Sequence, residues 1–247
     1  MKANQPESGL LQVAQGYPAV MSSSELFSDP IDEGSYRVYI AAVRSVDAYA
    51  LRLLVDLSGL RSDEQLWLLD PSAPRSFGPF TRANSLDAGR WLPTVLGDTA
   101  VLAIQVRQQG LPSFRLLAVS HFFRELEEAK ELNCNINIAC EESAQVQRIS
   151  SGIGLVLIAQ GLDIYTGSGA LINTSATGDL KPYFMTSHHV VSEVAMALNT
   201  DIIWDFRSTS CTNNNAPQIA KLPHSATKAM LATTATLDAT LLELDAA

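Results

Sequence analysis

Two histidines and one aspartate stand out as groups able to move a proton. His188 and His189 close the run Tyr183-Phe-Met-Thr-Ser-His-His189. A β-type segment that delivers an imidazole at its end is a good mount for a general base, because the strand holds the ring while its tip faces a cleft. Taken alone, a His-His pair is unspecific: a surface pair, a pair of metal ligands or a satisfied core histidine would account for it. Asp238 directly precedes the apolar run Ala239-Thr-Leu-Leu-Glu-Leu244, and by itself reads as a turn residue. An Asp buried at a strand start could, however, accept from an imidazole Nδ1 and stabilise the cation formed in acyl transfer.

Other candidates are weaker. Ser168 sits in Gly167-Ser-Gly-Ala-Leu-Ile-Asn173, but Thr166 and Ala170 stand where a Gly-x-Ser-x-Gly elbow needs glycine. That segment reads as structural, with small residues admitting a close neighbour. A metal centre on His188 and His189 is the weakest reading, since adjacent strand residues face opposite ways and no further ligand stands at a zinc spacing. No metal or cofactor is expected. Cys134, Cys140 and Cys211 leave two options open: three buried thiols, or one disulfide plus a half-cystine whose partner lies elsewhere.

The elements that must position these groups are β-type throughout. In the first half, residues 35–46, 49–57, 65–69, 97–106 and 114–123 are rich in β-branched, aromatic and leucine residues, with turn signals such as Asp70-Pro71, Gly78-Pro79 and Pro93 between them. Leu51, Leu53, Val55 and Leu57 alternate onto one face. Strands at this spacing predict a β-sandwich-like domain. In the second half, residues 151–160, 169–173, 183–187, 202–206 and 240–244 predict a second β domain with at most short helices, such as one after His189. The charged stretch 125–132 separates a cysteine-free half from the half holding all three cysteines, so the domains are expected at 1–130 and 131–247.

Composition excludes several function classes. The chain has 247 residues, 47% hydrophobic and 17% charged, as for one large or two ordinary globular domains. The net charge is -9 with Arg and Lys scattered singly, which provides no basic patch for nucleic acid. No apolar run approaches the ~20 residues of a spanning helix. The first residues, through Met21, lack the basic start and apolar core of a signal peptide.

The order of small-residue strand, Thr-Ser-His-His and Asp before an apolar strand resembles the chymotrypsin-fold serine endopeptidases. The resemblance tightens to the bacterial lysyl-endopeptidase branch through five collinear segments: Cys134-Asn-Ile-Asn-Ile-Ala-Cys140, Gly169-Ala-Leu-Ile-Asn-Thr-Ser175, Tyr183 to Val190, Trp204 to Cys211, and Asp238 to Leu244. It implies that residues 131–247 form the single N-terminal, six-stranded-type β-barrel half of that fold. It makes His189 the general base, because His189 stands where the family's His precedes a Cys, and Asp238 its orienting carboxylate. It pairs Cys140 with Cys211 and gives Cys134 a partner in a C-terminal half. The family's bridge beside the catalytic His is absent at both ends, where Gly167 and Val190 stand. Polypeptide substrates and a secreted or periplasmic location follow from the same resemblance.

The nucleophilic Ser is not in this chain: no Gly-Asp-Ser-Gly-Gly occurs in it, and the family's oxyanion donors and specificity pocket are missing with that motif. The expectation is therefore a serine endopeptidase precursor truncated before its nucleophile and inactive as given. The alternative is a non-catalytic secreted binding module that retains the protease half-fold. Residues 1–130 more loosely resemble the pro-region preceding such enzymes, through Trp91-Leu-Pro-Thr-Val-Leu-Gly-Asp-Thr-Ala100 and Ser113 to His121, with cleavage expected near Lys130.

Overall fold

The computed structural model describes residues 9–107, 110–126, 138–175, 178, 181–208, 210, 211 and 221–245. Two compact units emerge: Ala14–Arg124 in one, and in the other the start of the chain through Val13 together with Glu125 onward. The expected boundary at 130/131, Lys130 and Cys134 lie outside the described residues. No helix among the described residues is long and apolar enough to cross a membrane.

The all-β expectation holds in both units. The first contains β1 (Leu11–Ser22) from Ala14 on, β2 (Ile31–Glu33), β3 (Tyr36–Arg44), β4 (Ala50–Asp56), β5 (Gln65–Asp70), β6 (Arg75–Phe80), β7 (Arg90–Trp91), β8 (Val95–Leu96), β9 (Thr99–Val106) and β10 (Arg115–Phe122). One sheet joins β1 to β10, β10 to β4, and β4 to β7 and β8. The other has five antiparallel strands in the order β2-β3-β9-β5-β6. Their inner faces share one core: Leu51, Leu53 and Val55 of the first sheet pack with Leu66, Leu68, Leu102 and Ile104 of the second. A sandwich results because each sheet has an apolar face that only the other can cover.

Two strands here run against the sequence reading. β1 crosses Gly16 and Pro18, which break its alternation, and its pairing with β10 shifts register between Pro18 and Met21. β6 contains Gly78 and Pro79, read above as a turn. It is an edge strand, where a proline need not donate to a neighbour.

The second unit is a six-stranded antiparallel barrel of β11 (Ile153–Gln160), β12 (Asp163–Ile172), β13 (Tyr183–Thr186), β14 (Asp201–Trp204), β15 (His224–Thr234) and β16 (Ala239–Leu244). Its order is β11-β14-β15-β16-β13-β12, and pairing of β11 with β12 closes the ring. Val156, Ile158, Phe184, Ile202, Leu242 and Leu244 fill the interior, joined by Leu10 from the start of the chain. β15 was not expected from sequence. Its side chains are mostly exposed or half-buried, and two register shifts against β16 blur any alternation.

Short helices flank the barrel at Ala144–Ser150 and Val194–Leu198. The second is the one expected after His189. Cys140 and Cys211 form a disulfide across 71 residues. Arg207 adds a second tie on that side: its Nη1 donates to Gln147 Oε1 at 2.9 Å and to Ser150 Oγ at 2.6 Å.

Candidate active site

The barrel brings His189 and Asp238 together. β13 ends at Thr186, and the chain turns at once: the Val190 and Val191 N–H groups both donate to the Ser187 carbonyl. His188 and His189 therefore sit in a turn, not on a strand. The expectation that they face opposite sides as strand neighbours does not apply. Two threonines fix the turn's base. Thr186 pairs with Thr240 of β16 and its hydroxyl donates to the Ser168 carbonyl at 2.8 Å. Thr240, fully buried, donates to the Val191 carbonyl at 2.7 Å.

Asp238 arrives from the hairpin joining β15 to β16. It is the last residue of the turn, with φ of 46°. That left-handed conformation is tolerated by Asp better than by most side chains. Its two carboxylate oxygens take different atoms of the same residue. The His189 backbone N–H donates to Oδ1 at 2.9 Å, and His189 Nδ1 donates to Oδ2 at 2.7 Å. A carboxylate at this contact only accepts, so Nδ1 carries the proton and Nε2 holds the lone pair of the neutral ring. The backbone bond first, and the imidazole bond next, hold the Asp238 carboxyl below the ordinary aspartate value of 3.8. Asp238 is half-exposed, at 50%, and His189 at 46%. Asp238 directly precedes the strand, as the sequence indicated, but the burial considered for an orienting Asp does not hold: the carboxylate stands in the turn, where few side chains cover it.

Small residues let this turn pack. A Cβ added at Gly167 would lie 2.6 Å from Val190 Cγ1, and one at Gly169 would run into the Phe184 ring. Gly167 and Val190 thus meet across the barrel wall, and the isopropyl group fills the space between them. Ser168 lies between the two glycines with its side chain exposed on β12; its carbonyl is the group the site uses.

Both imidazoles spend Nδ1 on protein partners, His188 on Thr233 Oγ1 at 2.8 Å. Among the described residues no group of three His, Cys, Asp or Glu side chains comes together to hold a metal ion. A groove of about 440 Å³ lies elsewhere on the barrel, lined in part by Ile138, Leu155, Phe206 and Arg207, and neither His189 nor Asp238 lines it.

Sequence reading missed a second pair. His224 Nδ1 lies 2.8 Å from Asp201 Oδ1, with both side chains buried. It also missed Thr233, which lies in an unremarkable Ala-Thr-Thr-Ala run. A signal for Thr240 was present, since it falls inside the segment from Asp238 to Leu244 that carried the resemblance.

An antiparallel β-barrel with a His–Asp pair at the meeting of two turns defines a scaffold able to orient an imidazole for proton transfer. Residues 129–247 match the family described as lysyl endopeptidase, C-terminal domain. That match affiliates the second half of the chain with a protease family. No curated protein matches the chain.

Proposed function

We propose that the barrel is the first half of a serine endopeptidase acting on polypeptides, with His189 as general base and Asp238 as its orienting carboxylate. The observation that carries this reading is the double contact between them. Asp238 holds the backbone and the ring of His189 at once, so the imidazole is fixed in position and tautomer with Nε2 as the proton acceptor. In acyl transfer, Nε2 would take the proton of a nucleophilic hydroxyl while the carboxylate stabilises the imidazolium that forms. The Cys140–Cys211 disulfide supports a secreted or periplasmic setting, since such bonds persist in oxidising compartments.

The nucleophile must come from outside these 247 residues, in which no Gly-Asp-Ser-Gly-Gly occurs. On this reading residues 1–130 act as a pro-region released by cleavage near Lys130. N-terminal sequencing of secreted material should begin shortly before Cys134.

The test of the catalytic role is a fusion of this chain to a second barrel carrying Gly-Asp-Ser-Gly-Gly, assayed on a lysyl peptide amide. Turnover is expected, and His189→Ala should lower it by about 10⁴-fold or more. A fusion that folds and forms its disulfides but shows no His189-dependent turnover would overturn the reading in favour of a binding module.

A further inference from the structure

A second run of hydrogen bonds lies beside the His189–Asp238 pair, and its direction follows from one end. The Thr240 hydroxyl is 2.7 Å from the Val191 carbonyl. A carbonyl only accepts, so Thr240 spends its one proton there. Thr240 Oγ1 is also 2.6 Å from Thr233 Oγ1, and in that contact it can only accept. Thr233 therefore donates to Thr240 and has no proton left for its other neighbour. That neighbour is His188 Nδ1, at 2.8 Å. His188 must donate as Nδ1–H, which leaves the lone pair of the neutral ring on Nε2. The relay runs one way, from His188 through Thr233 and Thr240 to the Val191 carbonyl.

Its ends are the informative part. Residues 187–191 form the turn that presents His189. Thr233 and Thr240 stand opposite each other on β15 and β16, the two strands whose turn presents Asp238. The relay thus ties turn to hairpin at residue 188 and again at residue 191, one on each side of His189. Thr240 is buried, and water competes poorly for a hydrogen bond in such a place.

We propose that His188 is a positioning residue: as a fixed Nδ1–H donor it anchors the His189 turn to the Asp238 hairpin through Thr233 and Thr240. This rests on the reading of His189 and Asp238 as the catalytic pair, and His188 acts through His189, not on substrate. A second imidazole beside a general base thereby has a role other than metal binding or proton transfer.

The test is two-bond proton–nitrogen correlation of the imidazoles in ¹⁵N-labelled protein of residues 1–247, at a pH where both rings are neutral. Both His188 and His189 are expected as Nδ1–H tautomers. Thr233→Val keeps the side-chain shape and removes the acceptor. His188 should then move toward the Nε2–H tautomer, and the His189 Nδ1 proton should exchange with water about fivefold faster, as for loss of one hydrogen bond. Thr233→Ser restores a hydroxyl and should restore both signals. Should Thr233→Val fail to fold, His188→Phe keeps a ring without a donor and should speed the His189 exchange in the same way. An Nε2–H His188 in the parent protein, or unchanged His189 exchange in a folded variant, overturns the relay and leaves the pair standing. A neutral His189 without an Nδ1 proton in the parent overturns both.

Discussion

Among its described residues the barrel holds two histidine–aspartate contacts of nearly equal length in opposite surroundings. His189 Nδ1 is 2.7 Å from Asp238, and His224 Nδ1 is 2.8 Å from Asp201. The first pair is about half-exposed, whereas the second retains 6% and 3% of its side-chain surface. Distance alone therefore does not mark a site. The buried pair lies on neighbouring strands, with Asp201 opposite Ala226 and His224 opposite Ile203, and acts as a latch between β14 and β15. Such a pair is costly to break, because the buried group left behind loses a hydrogen bond that little water can replace. The exposed pair bridges two turns, where losing it leaves both groups hydrated.

The largest expected effect separates the two pairs directly. Asp201→Ala should destabilise the protein by about 1–3 kcal/mol in urea unfolding, as for a buried hydrogen bond left unmade. Asp238→Asn, chosen because Asn tolerates the left-handed backbone at that position, should leave the unfolding midpoint near that of the parent while removing catalysis from the fusion. Equal losses of stability in the two variants would erase the distinction.

Next comes the disulfide. Cys140→Ser with Cys211→Ser should cost about 2–4 kcal/mol, the typical contribution of a disulfide. Since that loss falls on the whole barrel, the imidazole signals of both pairs should broaden together under mild denaturant. Loss at one pair only would show that the bridge serves a local part of the barrel.

A smaller effect should reach one pair alone. Gly167→Ala drives a methyl group against Val190, the neighbour of His189, and should cost about 1–3 kcal/mol. Val190→Ala in the same chain should recover part of that loss, a coupling expected of touching residues. The His189 resonances should shift in Gly167→Ala and those of His224 should not.

The smallest effect is a pH edge. The Asp238 carboxyl is held below its ordinary value by the His189 N–H and imidazole. A lowered folded pKa means that the contact is fully present above the ordinary value and is lost as pH falls through the folded one. The His189 Nδ1 proton signal should accordingly persist below pH 3.8, the ordinary aspartate value. Its disappearance above that pH would contradict the carboxylate as its acceptor.

Much of the frame was legible in the residues. Leu51, Leu53, Val55 and Leu57 alternate, and all four are buried. The apolar run Ile153 to Ala159 reads as a strand, and it lies in one. β1, β6 and β15 were not legible, because Gly16, Pro18, Gly78 and Pro79 mimic turns and because β15 buries few side chains. In each of those strands the backbone pairing holds the strand, and side-chain periodicity says little.

Residue types and their order determined that the chain is β-rich and which histidine, aspartate and cysteines deserved notice. Tertiary structure alone decided that His189 and Asp238, 49 residues apart, touch through two bonds. It also decided that His188 is tied to Thr233, and that His224 and Asp201 form a buried pair. The physical reason is that periodicity along a strand records which face is covered. Which side chains meet across strands depends on register, bulges and turn conformation, and these are settled only when the whole barrel closes.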